Sequence, residues 1–237
     1  MNMLKNRLKD FKLAGMLNSL EERVNYANNN ELSPIQFLEL LCEDEENSRR
    51  DNSYKKRYAR AKLPTYKTIE EFDFSFQPSI DKKMINDVST CQYIAEHKNI
   101  VFIGNPGTGK SHLAIALGIK ALMRGNKVLF STTAEMLRQL HMSRADNSYY
   151  KKFNEYLAPN LLILDELGFR KLPNYSADDF FEIIAKRYEK GSTIITSLIR
   201  KLVQNCFDHA INKLKQDGFT EEAESLTAGT VHWLRHT

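Results

Sequence analysis

The sequence has little of what membrane-spanning, secreted or zinc-binding proteins need. None of its apolar runs approaches the roughly 20 residues that span a bilayer, and its first ten residues carry charges instead of the apolar core of a signal peptide. Its three cysteines, Cys42, Cys91 and Cys206, lie far apart and in no C-x-x-C spacing, which indicates neither a disulfide framework nor a zinc site. We therefore expect a cytoplasmic protein with reduced thiols and no membrane partner.

An excess of charge of one sign is also lacking. The chain has 34 Lys and Arg against 30 Asp and Glu, and the resulting net charge of +4 is too small to identify a nucleic-acid partner. Any such argument must rest on where the charges lie. With 237 residues and 42% hydrophobic content, the chain can bury a sizeable core as one large domain or as one domain with appendages.

One stretch fits a nucleotide-binding pattern at every fixed position. Residues 104–111 read G-N-P-G-T-G-K-S, which matches the phosphate-binding pattern G-x-x-x-x-G-K-[ST]. Glycines let such a loop turn its N–H groups towards a polyphosphate, while Lys110 brings a full charge to the β- and γ-phosphates and Ser111 is placed to bind Mg²⁺. The predicted nucleotide-binding residues are Gly104, Asn105, Pro106, Gly107, Thr108, Gly109, Lys110, Ser111 and His112.

The flanks of this loop favour a strand before it and a helix after it. Residues 99–103 are apolar, and residues 112–122 are rich in helix formers with apolar residues at helical spacing. Further strands are predicted at 127–132, 161–164 and 193–197, and helices at 134–144 and 177–188. This alternation predicts an α/β fold: a parallel sheet with right-handed crossovers, helices on both faces and ligands at the carboxyl ends of the strands.

Two carboxylates follow the third predicted strand. Asp165 can hold the Mg²⁺ shell, and Glu166 can polarise a water for attack on the γ-phosphate of ATP. Thr196 or Ser197, at the tip of the next strand, can sense that phosphate through its hydroxyl. The candidate catalytic residues are Glu166, Lys110 and Thr196, the candidate metal ligands are Ser111 and Asp165, and the predicted cofactors are ATP and Mg²⁺.

The first 66 residues are predicted to be helical. One amphipathic helix covers residues 4–24, and Ser33-Pro34 with Gln36 marks the start of a second helix. The later part of this second helix is a candidate contact surface for double-stranded DNA. Closely spaced basic residues can neutralise DNA phosphates and release the counterions bound to them, which gives affinity that does not depend on base sequence. A solvated helix face, balanced by the acidic run at 43–46, is the alternative. The basic residues are Arg49, Arg50, Lys55, Lys56, Arg57, Arg60 and Lys62.

Between residues 4 and 197 the chain resembles the IstB-like ATPases, helper proteins encoded beside the transposase in one class of bacterial insertion sequences. The resemblance rests on residues 72–76 (F-D-F-S-F), Gly104 to Lys120, Leu161 to Gly168 and Arg187 to Ser197. That family belongs to the AAA+ group of P-loop ATPases, as do the DnaC helicase loaders. The resemblance implies a helical DNA-binding region at 1–66 and an AAA+ core at 67–197, in an ATP-dependent protein that binds DNA and delivers or activates a transposase.

After Ser197 the sequence departs from that family. Leu198 stands where Asn is usual, and no arginine finger, fifth strand or final sensor arginine follows. Residues 198–237 are predicted to be helical, and their ending, H-W-L-R-H-T at 232–237, resembles the second catalytic box of tyrosine recombinases, the phage-type integrases. An amphipathic helix is the alternative. The partner arginine, lysine and tyrosine are absent, so no recombinase activity is expected, and we hypothesise a fusion of two mobile-element fragments with its junction near Leu198.

This departure has consequences for activity and assembly. Loss of the fifth strand leaves the strand at 100–103 as an exposed edge unless the tail covers it. Loss of the arginine finger, worth about 10³–10⁵ in rate, predicts weak nucleotide binding and little hydrolysis. The lost elements would also close a subunit interface, which argues against a homo-oligomer. A DnaC-like helicase-loader adaptor and a non-functional remnant are the alternatives to a transposition helper.

Overall fold

A computed structural model describes residues 2–76, 80–168, 177–188 and 190–199, three isolated positions (205, 208 and 212) and the backbone of residues 232–235. The chain divides into two compact units, Met1–Lys56 and Arg57–Thr237. Within the described ranges, no helix is both long and apolar enough to cross a membrane. The helices are α1 Asn2–Asp10, α2 Ala14–Asn29, α3 Pro34–Ala61, α4 Lys82–Ser89, α5 Gln92–Ala95, α6 Lys110–Met123, α7 Thr133–Ser143, α8 Tyr149–Leu157 and α9 Ala177–Arg187, and the strands are β1 Ile100–Ile103, β2 Val128–Thr132, β3 Leu161–Leu167, β4 Ser192–Ser197 and β5 His232–Arg235.

The single helix predicted over residues 4–24 is instead two helices, α1 and α2. The chain turns at Lys12, whose φ of 58° is left-handed. The N–H groups of Lys12 and Leu13 donate to the carbonyl oxygens of Lys9 and Leu8 at 3.0 and 2.9 Å. These two bonds are typical of a helix that ends at a left-handed residue. The apolar spacing continues across the break, so periodicity alone did not reveal it.

Helix α3 begins as predicted, with a capping box. The Ser33 N–H donates to Gln36 Oε1 at 2.9 Å, and the Gln36 N–H donates to Ser33 Oγ at 3.3 Å. Farther along α3, the buried Glu45 carboxylate accepts the N–H groups of Gly15 and Met16 at 2.7 and 3.2 Å. Because these are first-turn N–H groups of α2, α3 supplies the cap that α2 lacks in its own sequence.

The predicted parallel sheet is confirmed. Its strand order is β2-β3-β4-β1-β5, and every neighbouring pair is parallel. All five carboxyl ends therefore meet at one edge of the sheet. In the register of the pairs, Phe102 lies opposite Thr196 and Thr132 lies opposite Asp165. The candidate carboxylate and hydroxyl residues thus reach the edge from which the phosphate loop starts.

Helices cover both faces of this sheet, as predicted. On one face, α7, α8 and α9 contribute to a buried cluster with strand residues that include Val101, Leu162 and Ile195. On the other face lies α6, where a Cβ added to Gly118 would stand 2.8 Å from Cδ1 of Ile163. Only glycine permits such a close approach of helix to sheet.

Helix α8 was not predicted. Its buried residues are Phe153 and Tyr156, three positions apart. This spacing suits one face of a helix, but the element has nine residues, fewer than the 11 to 18 over which helical periodicity becomes readable.

The position of a fifth strand is filled, so the expectation that no fifth strand follows Ser197 was wrong. Strand β5 pairs with β1, with Ile100 opposite His232 and Ile103 opposite Arg235. The unpaired N–H and C=O groups of an edge strand favour such an addition, and the residues between β4 and β5 are numerous enough for a parallel crossover. The three isolated positions of the tail have helical backbone; the rest of the predicted helical tail, apart from β5, lies outside the described residues.

Arg187, at the end of α9, binds the segments at the amino ends of β3 and β4, away from the phosphate loop. Its side chain is 1% exposed, and the burial lowers the pKa of the guanidinium to about 10. Every described hydrogen-bond partner is neutral. Hydrogen bonds to these oxygens replace the water that the guanidinium loses on burial, and they join the end of α8 to the start of β4. The acceptors are the carbonyl oxygens of Tyr156, Leu157, Pro159, Asn160 and Ser192 and the hydroxyl of Thr193, at 2.7–3.5 Å.

We expect Arg187→Met to lower the free energy of unfolding by at least about 3 kcal/mol, because several buried carbonyl oxygens lose their donor at once. Denaturant unfolding followed by circular dichroism measures this loss. The neighbouring Lys186→Met removes a partly exposed ion pair with Glu182 and a contact of the ammonium with the Phe153 ring, and it should change stability by no more than about 1 kcal/mol. Equal losses in the two variants would contradict the assignment.

Candidate nucleotide-binding site

The predicted phosphate loop connects β1 to α6 and has the backbone of an anion cradle. Gly107 and Gly109 have left-handed φ values of 79° and 85°, a conformation that strains other residues. The Gly104 N–H donates to the carbonyl oxygen of Ser197 at 3.2 Å, which ties the start of the loop to the end of β4. Helix α6 begins after Gly109 without a side-chain cap. Its first-turn N–H groups therefore suit an anion.

The ammonium group of Lys110 lies across this loop. Its Nζ donates to the carbonyl oxygen of Asn105 at 2.7 Å and to Thr108 Oγ1 at 3.4 Å, and the side chain is buried. Burial lowers the pKa of this ammonium, and the negative charge of Asp165 partly opposes the shift. A buried cation with neutral partners gains most from an anionic one, so the arrangement favours a phosphate oxygen at this point.

Asp165 joins the ends of β3 and β4 to the first turn of α6. Its buried carboxylate accepts hydrogen bonds from Ser111 Oγ, at 2.8 Å, and from Thr196 Oγ1. Thr196 Oγ1 in turn accepts the N–H of Glu166 at 3.0 Å. The hydroxyl of Ser197 instead donates to a backbone carbonyl oxygen at the end of β3, at 2.8 Å. Of the two hydroxyls predicted as sensors, Thr196 is the one that lies beside the candidate metal ligands.

Glu166 follows Asp165 in an unusual backbone conformation. Its φ is 60°, and the pairing of β3 with β4 shifts register between Leu164 and Leu167. A left-handed non-glycine residue is strained and persists only when its surroundings hold it; the hydrogen bond from its N–H to Thr196 is one such restraint. The side chain of Glu166 is exposed, whereas Asp165 is 7% exposed. The two carboxylates therefore have different environments, one accessible to water and one enclosed.

These residues fit Mg²⁺ bound to a nucleoside triphosphate. Mg²⁺ prefers oxygen ligands and is held in proteins by one or two carboxylates together with substrate phosphates. The adjacent Ser111 hydroxyl and Asp165 carboxylate are oxygen donors of that kind. Lys110 and the start of α6 supply positive charge on the phosphate side. The arrangement can hold a polyphosphate and present a metal ion to it.

His112, predicted to bind nucleotide, contacts the segment between α3 and α4. Its Nε2 lies 2.7 Å from the carbonyl oxygen of Thr68, and its ring meets the edge of Phe72 with centroids 5.4 Å apart. Phe72 packs so closely over Gly109 that a Cβ there would clash with it. The T-x-x-E spacing of Thr68 and Glu71 predicts a capped turn and is the sequence signal that could have drawn attention to this segment.

The candidate DNA-contact residues lie on α3 or just beyond it. Arg49 forms an ion pair with Glu45 at 2.6 Å, but its side chain is 63% exposed. Arg57 differs, because it is partly buried and donates to the carbonyl oxygen of Leu122, at the end of α6, at 3.2 Å. Its guanidinium thus serves the fold by satisfying a helix terminus. The remaining residues are exposed: Arg50, Lys55, Lys56, Arg60 and Lys62.

Sequence comparison places the chain among proteins of insertion sequences. A family model described as IstB-like ATP binding protein matches residues 6–211, so the similarity continues past Leu198. The ATP-binding protein of insertion sequence IS21 from Pseudomonas aeruginosa is 36% identical over 197 residues, which cover 83% of this chain and 73% of that protein. The corresponding protein of IS5376 from Geobacillus stearothermophilus is 39% identical over 172 residues, which cover 73% and 68% of the two chains.

Solved structures share the fold. DnaA from Aquifex aeolicus with bound AMPPCP matches 73% of this chain and 51% of its own, with a TM-score of 0.51 and 22% identity. A DNA replication initiation factor matches 70% of this chain and 60% of its own, with a TM-score of 0.51 and 21% identity. This chain thus spans between half and two thirds of the length of these two structures. At such identities the likeness shows the fold alone, which is that of the P-loop AAA+ proteins.

We expect Gly109→Ala to destabilise the protein more than Gly107→Ala. Both glycines are left-handed, so alanine costs about 1–2 kcal/mol at either position, but only the Gly109 methyl would also clash with Phe72. Urea unfolding of the two variants measures the difference. Phe72→Ala should cost less in the Gly109→Ala background than in the wild type, since it removes the clash. Additive effects in this double-mutant cycle would contradict the proposed contact.

Proposed function

Because this chain belongs to the IstB-like ATP-binding protein family, we propose that it binds Mg-ATP at the phosphate loop and acts as a helper in insertion-sequence transposition. In this role it binds double-stranded DNA and activates the transposase encoded by the same element. The observation that carries the proposal is the contact of the Asp165 carboxylate with Ser111 and Thr196, at the edge of the sheet from which the phosphate loop starts. The two insertion-sequence relatives supply the biological context.

The side chains divide the chemistry of ATP hydrolysis among them. Bound Mg²⁺ would neutralise charge that develops on the β- and γ-phosphates. Ser111 and Asp165 hold the metal shell, and Lys110 exchanges the Asn105 carbonyl oxygen for a phosphate oxygen. Glu166, exposed beside Asp165, orients the attacking water and accepts its proton. Thr196 keeps Glu166 in place through the backbone N–H that it accepts.

Turnover is expected to be slow. We expect no arginine finger after Ser197, because the sequence there departs from the family resemblance, and such a residue is worth about 10³–10⁵ in rate in related ATPases. Nucleotide binding depends on the loop, Lys110, Ser111 and Asp165, all of which the chain retains. Binding and hydrolysis should therefore separate, so that ATP association is measurable where multiple turnover is not.

DNA binding is assigned to the basic part of α3. Arg49, Lys56 and Arg60 follow one another at seven and four residues, which places them on one face of a helix, over about 17 Å at about 1.5 Å per residue. All three side chains are exposed. A row of this kind neutralises backbone phosphates of a duplex and gives affinity that is independent of sequence and strongly dependent on salt.

Lys110→Ala should weaken Mg-ATP binding by about 10- to 100-fold, because it removes a charge-assisted contact worth about 1.5–3 kcal/mol. Glu166→Gln should retain wild-type affinity, since it changes only the residue that receives the proton, and should lower single-turnover hydrolysis by about 10²–10⁴-fold. Calorimetric titration and a single-turnover assay, with and without duplex DNA, measure the two effects. Wild-type hydrolysis that duplex DNA stimulates to repeated turnover would contradict the expected defect.

Replacement of Arg49, Lys56 and Arg60 by alanine should weaken binding to duplexes of any sequence. Each lost phosphate contact should also lower the slope of log affinity against log salt by about 1. Fluorescence anisotropy over a salt series measures both quantities. Lys127→Ala, a change at an exposed position just before β2, serves as the control and should leave affinity and slope unchanged. A triple variant with the wild-type slope would exclude α3 as the contact surface.

A further inference from the structure

An open groove lies beside the first half of α3, on the side that faces the end of α2. Its volume is about 340 Å³, and we call it the α2–α3 groove. The groove belongs entirely to the compact unit Met1–Lys56. Its lining residues come from α2, the turn that follows it and α3: Tyr26, Leu32, Gln36, Glu39, Leu40 and Glu43.

Hydrogen bonds between and beside the two helices fix the shape of this groove. Arg23 of α2 donates two bonds to the carboxylate of Asp44 in α3, both at 2.7 Å. The N–H of Leu32 donates to the carbonyl oxygen of Ala27 at 3.1 Å, which holds the turn after α2. Bidentate pairs of this kind are strong and directional. The groove is therefore formed before any ligand binds, which lowers the entropic cost of binding.

The two glutamates of the groove carry charge that the fold does not neutralise. Glu39 and Glu43 are four residues apart and lie on one face of α3. Within the part of the chain that the structure describes, neither of them forms an ion pair. The nearby guanidinium of Arg23 is bound by Asp44 instead. A partner that brings positive charge to this face would complement it.

Apolar side chains lie on both sides of these glutamates. Successive residues of a helix differ in direction by about 100°, which places Leu40 on one side of Glu39 and both Ile35 and Leu38 on the other. Leu40 is half-buried in the groove, whereas Ile35 and Leu38 are 69% and 58% exposed. Exposed apolar side chains that adjoin a groove are typical of a protein-binding surface. The surface is thus apolar with a negative stripe along it.

A helix suits this surface better than a metal ion, a nucleic acid or an extended chain. No group of three or more metal-ligating side chains occurs among the described residues, and Glu39 and Glu43 repel phosphates. The groove lies between helices and has no strand edge to which an extended segment could add. An amphipathic helix satisfies its own backbone groups and presents an apolar face with charged flanks.

We propose that the α2–α3 groove is the docking site for a basic amphipathic helix of a partner protein. The apolar face of that helix packs on Leu32 and Leu40, and its lysine or arginine side chains pair with Glu39 and Glu43. The inference goes beyond the proposed function, which assigns DNA to the basic part of α3 and no surface to a protein. It does not depend on nucleotide binding, so either can fail without the other.

The test is fluorescence anisotropy of the full-length chain with a labelled peptide of about 14 residues, or about four helical turns. This peptide carries leucines on one helical face and lysines beside them, and a matched peptide has glutamate at every lysine position. We expect the lysine peptide to bind at least about tenfold more tightly than the glutamate peptide. The affinity of the lysine peptide should fall as the salt concentration rises.

Charge reversal in the groove should change this preference. Glu39→Lys and Glu43→Lys should each weaken binding of the lysine peptide by about three- to tenfold, because an attraction becomes a repulsion. The double variant should prefer the glutamate peptide. Asp51→Lys, the same exchange at an exposed position of α3, is the matched control. It lies eight residues from Glu43, about 12 Å along the helix and beyond the Debye length of about 8 Å at physiological salt, and should change affinity by less than twofold.

Three results would overturn the proposal, provided that circular dichroism shows the variants to be folded. One is a double variant that still prefers the lysine peptide. Another is an equal loss of affinity in Asp51→Lys and Glu43→Lys, which would assign the attraction to the overall charge of α3. The third is self-association of the wild type that Glu43→Lys abolishes in sedimentation velocity, which would assign the groove to a second copy of this chain. A reversed preference in the double variant would support the proposal.

Discussion

The carboxylate of Asp165 is the point on which the nucleotide end of the sheet depends. It stands near the end of β3 and accepts hydrogen bonds from the hydroxyls of Ser111, in the first turn of α6, and Thr196, near the end of β4. A buried carboxylate is tolerated only when its oxygens have donors. The same two hydroxyls that stabilise it therefore also fix the separation between the start of α6 and the ends of β3 and β4.

Two systems of contacts meet at the start of α6 without sharing a side chain. Ser111 belongs to the carboxylate system, and His112 contacts Thr68 and Phe72, in the segment between α3 and α4. Because neighbouring residues of a helix point in different directions, one turn can serve both a metal and an element outside the sheet. The phosphate loop is thus held from two sides. Gly109 is restricted to glycine for two reasons, its left-handed backbone and the Phe72 ring packed against it.

Much of the fold and of the phosphate site could be predicted from sequence, because those parts are encoded locally. The loop at 104–111, the apolar strands and the carboxylates after β3 are each contiguous stretches with a direct chemical meaning. Residues whose role depends on distant partners could not be predicted. Nothing near Arg187 in the chain indicates that it would bind carbonyl oxygens at the end of α8, and Arg57 looks like one more member of a basic run until it is seen to donate to Leu122.

The sequence by itself determined the order of strands β1 to β4 and of the helices α6, α7 and α9, the phosphate loop and the identity of the two carboxylates. Hydrophobic periodicity and glycine spacing extend over a few residues, so they can be read from the sequence without knowledge of the fold. Only the tertiary structure decided that Thr196 rather than Ser197 contacts Asp165, that His112 contacts the carbonyl oxygen of Thr68, and that residues 232–235 pair with β1. The physical reason is that hydrogen-bond partners and strand neighbours are set by register and packing between segments, and these join residues from about 30 to more than 130 positions apart.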